Sequence, residues 1–115
     1  IFHKYIYYII YIMPLDKKGK PILFKPFKGK STPKKKKYSV YVESDNKKGF
    51  KTIHFGDSSM EQFKDKLGYY KHLDHGDPVR RKSYLARAKG IKNKQGELTW
   101  KNKNSANYYS IKYLW

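Results

Sequence analysis

The chain has no cysteine, which removes a disulfide framework and every thiolate zinc site at once. Acid is scarce too: nine Asp and Glu stand against 27 Lys and Arg, a formal net charge of +18. Long hydrophobic runs are missing. The apolar run within residues 1–12 falls short of the roughly 20 residues a membrane-spanning helix needs. No small-residue cleavage site follows it to make it a signal peptide. No phosphate-cradling glycine loop, serine–histidine–acid order or paired-carboxylate spacing stands out. These absences lead to the expectation of a protein that is not an enzyme, with no cofactor, metal or membrane partner. A chain of 115 residues supports one domain at most, plus tails.

What the chain has is lysine. So much like charge repels itself in a compact fold and is easier to retain when an anionic partner neutralises it. Lysine is a hydrated point charge that suits phosphate neutralisation better than planar readout of bases. The chain also carries twelve Tyr, six Phe and two Trp, with few valines. Interleaved with lysine, such rings suit stacking on the bases of a nucleic acid. Equally, they fill a small core that lacks aliphatic side chains.

Composition divides the chain into three parts. Residues 1–12 draw only on residue types with A/T-rich codons and read as translated upstream sequence from an A/T-rich genome, with Met13 as the start. Residues 13–37 form a basic tail, broken by Pro14, Pro21, Pro26 and Pro33 and expected to be disordered until it binds a partner. Residues 38–115 form a small α+β domain. Its Tyr38–Glu43 and Phe50–Phe55 alternate as strands around a turn cluster, a β-hairpin. Two or three short helices follow. Ser58 and Glu61 have capping-box spacing and predict a helix through Leu67. Asp77 and Pro78 open a second helix, which Gly90 closes. Asn104 or Ser105 caps a third, from Ala106 to Trp115, with Ala106, Tyr109, Ser110, Tyr113 and Leu114 on one face.

The sharpest local motif is Ser31-Thr32-Pro33 followed by Lys34, Lys35, Lys36 and Lys37. It resembles both a monopartite nuclear-import signal and the Ser/Thr-Pro-Lys-Lys units of histone tails. Four adjacent cations on a proline-anchored segment form a phosphate-binding candidate, and the bland alternative is a solvated tail. Arg80, Arg81, Lys82 and Arg87 form a second candidate patch. Within it Arg80, Tyr84 and Arg87 share a helix face at i, i+4 and i+7. That face either grips phosphate or packs Tyr84 into the core beneath arginines paired with Asp57 or Asp77. His72, Asp74, His75 and Asp77 are spaced like metal ligands and would centre a metal-dependent nuclease, an unlikely reading because Asp77 already serves as a cap. Trp100, Tyr108, Tyr109, Tyr113 and Trp115 are either a stacking platform or core.

Tyr38-Ser39-Val40-x-Val42, Ile53-His54-Phe55-Gly56-Asp57, His75-x-Asp77-x-x-Arg80-x-x-x-Tyr84-x-x-Arg87, Ser105-Ala106-x-Tyr108-Tyr109-Ser110 and Leu114-Trp115 occur in an order that resembles an uncharacterised family. Its members are small basic proteins encoded mainly by large DNA viruses of eukaryotes, the nucleocytoplasmic large DNA viruses. The resemblance spans residues 38–115. It departs at Ala88, where a histidine is expected, and at Tyr109, where tryptophan is frequent. The missing histidine weakens any metal or catalytic role for this helix. The resemblance implies a viral origin and a place in the virion or the infected cell, nucleus or cytoplasm. With the composition, it sets the expectation of a non-enzymatic protein that binds nucleic acid, DNA ahead of RNA, through phosphate contacts and is packaged with the genome. A minor capsid or assembly protein docking on acidic virion proteins is the alternative.

Overall fold

The computed structural model describes residues 15–115; the segment read as upstream sequence and Met13 lie outside the described residues. Two antiparallel strands, β1 (Lys36–Glu43) and β2 (Phe50–Asp57), form the hairpin. Their register places Tyr38 opposite Phe55, Val40 opposite Ile53 and Glu43 opposite Phe50. Gly49 supplies the positive φ of the turn (+79°), and the Asn46 amide closes it by donating to the Phe50 carbonyl at 2.8 Å. Two α-helices follow, α1 (Pro78–Ala88) and α2 (Ala106–Leu114), completing an α+β domain. Asp77 caps α1 by accepting from the N–H groups of Val79 and Arg80, with Pro78 at the first position. Ser105, not Asn104, caps α2. Gly90 follows the Lys89 C-cap without the left-handed conformation usual for a glycine there. No described helix is long and apolar enough to cross a membrane.

The hairpin's inner face meets α2. Tyr38, Val40, Val42, Phe55, Tyr109 and Leu114 form one buried cluster, with Tyr113, Trp115 and Tyr70 packed against it. Most of the aromatics are therefore core. Phe55 lies 5.8 Å from Tyr109, and Tyr109 stacks on Tyr113 at 6.4 Å between ring centres. Such pairs contribute about 0.5–1.5 kcal/mol each beyond the area they bury. The buried Tyr109 hydroxyl donates to the Lys103 carbonyl at 2.7 Å, and burial pushes its pKa up to about 12.

β1 is buried on both faces from Lys37 to Val42, although alternation predicts one solvated face. The cover comes from the segment expected to be disordered. Phe24 and Phe27 donate their N–H groups to the Tyr41 and Ser39 carbonyls, and Ser39 donates back to Phe27, each at 2.8 Å. The Phe27 ring packs 5.0 Å from Tyr41, and the Thr32 hydroxyl bonds that of Ser39 at 2.7 Å. The part of the basic tail from Leu23 to Thr32 thus lies along β1 as a partial third strand. Ile22 to Phe24 and Phe27, read from the sequence as able to dock on the domain though too few to build a core, sit in or beside this stretch, and Phe24 and Phe27 make the docking bonds.

The helix predicted from Ser58 does not form. Asp57 takes over the turn, accepting from both the N–H and the hydroxyl of Ser59. Ser58 instead donates its hydroxyl to the Lys34 carbonyl at 2.6 Å. Residues 62–66 then form an irregular loop with long-range backbone bonds. Gln62 exchanges backbone bonds with Leu73 and His75, while the Lys64 and Lys66 N–H groups reach the Leu114 and Tyr113 carbonyls. These long-range bonds satisfy the backbone that a local helix would otherwise have paired, and they cap the open C-terminal carbonyls of α2. Asp65, 1% exposed, sits at the centre of the loop. Its carboxylate accepts from the Tyr38 hydroxyl and from the N–H groups of Leu67 (2.9 Å) and Tyr70 (2.7 Å).

Candidate functional site

A strongly cationic chain folds only if its charges are kept apart or neutralised, so the positions of its nine acids decide what the surface presents. Five of them serve the backbone. Asp16 accepts from the N–H groups of Lys18 and Lys20, Asp57 holds Ser59, and Asp65 anchors the 65–70 loop. Asp74 accepts from the Gln62 amide at 2.6 Å and the Asp65 N–H at 2.8 Å, and Asp77 caps α1. The Ser59 bonds hold the exposed Asp57 carboxyl below the usual carboxylate range. Among the described residues a single carboxylate–cation contact occurs, Arg80 to Glu61 at 3.2 Å, with both side chains about half exposed. An exposed pair of this kind is worth under about 1 kcal/mol. These five acids therefore organise loops, and no lysine forms an ion pair among the described residues.

The structure divides the run of four lysines. Lys34, Lys35 and Lys36 are exposed at the entry to β1. Lys37 is 1% exposed, and its ammonium donates to the Met60 carbonyl at 2.7 Å and to the Gln62 side-chain oxygen. Burial lowers its pKa, against the pull of Asp65, Asp57 and Asp74. Lys37 is thus a structural cation and no phosphate contact, a correction to its grouping with the other three. The run gave no warning, because four identical side chains carry no phase; what separates Lys37 is that its side chain turns inward to the Met60 and Gln62 oxygens.

The second patch is divided too. Arg81 donates from Nε to the Trp115 carbonyl at 2.7 Å and lies over the Phe63 ring at 5.2 Å, tying α1 to the end of α2. Lys82 is exposed on the outer side of α1. Arg80 and Arg87, with Tyr84 between them, face an open groove of about 740 Å³ between α1, the turn after β2 and the end of α2. Tyr84 stacks on Trp115, ring centres 3.9 Å apart and planes within 6°, and burial raises its pKa. The packing reading of this face holds in part. Tyr84 is packed, and the arginines flank it as expected. The partner, however, is Glu61 for Arg80, with neither Asp57 nor Asp77 in that role.

Three further groove residues were not read from the sequence. Glu61 looked like a cap and Met60 like a helix position, and Val79 was given no role. Met60 and Val79 are in fact 62% and 73% exposed at the groove. Gly56 forms part of its floor. Its φ is +77°, and a Cβ there would lie 2.8 Å from Leu114 Cδ1.

Asp74, Asp77 and one nitrogen of His75 are taken up by structural bonds. His75 Nδ1 accepts from the Asp77 N–H at 2.9 Å, and its ring lies between Phe63 and Trp115. With Asp74 and Asp77 engaged as above, no group of three His, Asp or Glu is placed to hold a metal ion among the described residues. His54 bonds the Ser39 hydroxyl at 2.7 Å, and burial lowers its pKa. Of the proposed stacking platform, Tyr109 is core and Trp115 is covered by Tyr84. Trp100 instead has the ammonium groups of Lys89 and Lys101 within 5.1 and 5.3 Å of its ring centre. Comparison with protein-family models, with curated proteins and with solved structures finds no match.

Proposed function

We propose that this chain binds nucleic acid through sequence-independent phosphate contacts, as a small accessory protein packaged with a viral genome. The observation that supports it is the division of labour among charges. Five of nine acids are engaged in bonds to backbone or to neutral side chains, and Lys34, Lys35, Lys36 and Lys82 stand exposed outside any ion pair among the described residues. Surface lysines outside ion pairs suit a polyanion whose condensed counterions they displace. The sequence resemblance to basic proteins of large DNA viruses points the same way.

The test is a pull-down of the purified protein by duplex DNA, by RNA of equal length and by an acidic protein surface, at rising salt. Capture by nucleic acid that falls by orders of magnitude between about 50 and 200 mM salt supports the proposal. Retention by the acidic protein alone replaces it with an assembly role.

A further inference from the structure

We propose that the groove beside α1 seats the unpaired end of a nucleic acid strand, with phosphates on Arg80 and Arg87 and a base against the apolar rim. The inference rests on the nucleic-acid reading above and assigns a distinct subsite within it.

Three features of the groove fit that ligand together. Arg80 and Arg87 lie seven residues apart on one face, about 10.5 Å along the helix axis. A lone phosphate bridges too short a distance to use both, whereas four consecutive phosphates, three steps of about 3.4 Å per stacked nucleotide, match the span. Arg87 has no side-chain hydrogen bond or ion pair among the described residues, and Arg80 has only the half-exposed Glu61. Glu61 there occupies the place of an anionic ligand that a phosphate displaces.

The rim is the second feature. Met60 and Val79 are two of the four large hydrophobic side chains the described surface leaves most exposed, and both belong to this groove. A blunt duplex exposes only the outer faces of its two terminal pairs, held flat in the helix, while an unpaired base is free to turn a face into the rim. The third feature is volume. At about 740 Å³ the groove lies within the range of small-ligand sites, and the stacked Tyr84–Trp115 pair gives it a rigid wall. Asp57 also lines the groove, so a strand is directed toward α1 and its arginines.

Fluorescence anisotropy at one moderate salt concentration tests the assignment. The probes are a blunt duplex, the same duplex with a three-nucleotide single-stranded overhang, and a longer blunt duplex with the same number of phosphates. The overhang probe is expected to bind about tenfold tighter than the phosphate-matched blunt one, as one or two base contacts at about 1–3 kcal/mol each allow. Arg87→Ala reduces that ratio to about twofold or less, and Glu61→Gln increases it. Both residues are exposed, so the variants keep the fold, which circular dichroism checks. Equal binding of overhang and matched duplex by the wild-type protein overturns the subsite and leaves nucleic-acid binding intact. Failure of all three probes overturns both. An acidic peptide that displaces the overhang advantage while sparing blunt-duplex binding assigns the groove to a protein ligand and also overturns the proposal.

Discussion

Replacing Asp65 with alanine removes the acid on which the loop between the hairpin and α1 depends. Three donors lose their acceptor: the Tyr38 hydroxyl and the N–H groups of Leu67 and Tyr70. Each unsatisfied buried donor costs about 1–3 kcal/mol. Water entering the space left by the carboxylate recovers part of this, so the net loss is about 3–5 kcal/mol. Lys37 loses its largest electrostatic support in the same change, which adds to the loss. Domains of this size are stable by only about 5–15 kcal/mol. Urea unfolding followed by circular dichroism and tryptophan fluorescence reads the effect. With a slope of about 1–3 kcal/mol per molar, the midpoint falls by about 2 M.

Tyr38→Phe is the companion variant. It removes one donor and leaves the carboxylate its two N–H partners, so it costs about 1–2 kcal/mol. The double variant should lose less than the two single losses summed, because the shared bond is removed only once. A midpoint shift under about 0.5 M for Asp65→Ala, or strict additivity in the cycle, refutes the claim that this acid is a structural anchor.

Two further outcomes follow from the same geometry. Gly56→Ala meets both a left-handed backbone (φ +77°) and Leu114 Cδ1 at 2.8 Å, and is expected to cost about 2–4 kcal/mol and lower Tm by about 10 °C or more; a loss under about 1 kcal/mol contradicts it. Burial raises the phenol pKa values of Tyr38, Tyr41, Tyr84 and Tyr109 above the ordinary 10. Above pH 10 the unfolded chain releases these protons while the folded one keeps them, so their contribution is full below pH 10 and is lost as pH rises further. Phenolate absorbance should therefore show these four titrating late, in the step that coincides with unfolding; a single wave near pH 10 that precedes unfolding refutes this.

The hairpin, α1 and α2 were legible because each carries a local signal: alternation in Tyr38–Glu43, the Asp77-Pro78 cap, and the helical spacing of Tyr109 and Leu114. The 58–67 region misled because its signal was also local. Ser58 and Glu61 stand at capping spacing, yet their side chains go to Lys34 and Arg80, 24 and 19 residues away. That Ile22 to Phe24 and Phe27 can dock was legible, but where they dock was not, since their partners are β1 carbonyls that composition does not reveal. The groove was half legible. Helical phase put Arg80, Tyr84 and Arg87 on one face, but the facing wall of Met60, Glu61 and Trp115 comes from two other parts of the chain.

The central claim is that exposed lysines outside ion pairs are there to meet phosphate. The salt dependence of binding to a mixed-sequence duplex tests it most directly, comparing the wild-type protein with the Lys34→Ala, Lys35→Ala, Lys36→Ala triple variant. Each phosphate contact contributes about 0.9 to the slope of log K against log salt concentration. The predicted result is a steep negative slope for the wild-type protein, shallower by about 2.7 in the variant. Absence of binding, a slope near zero, or a slope unchanged by the three substitutions contradicts the account.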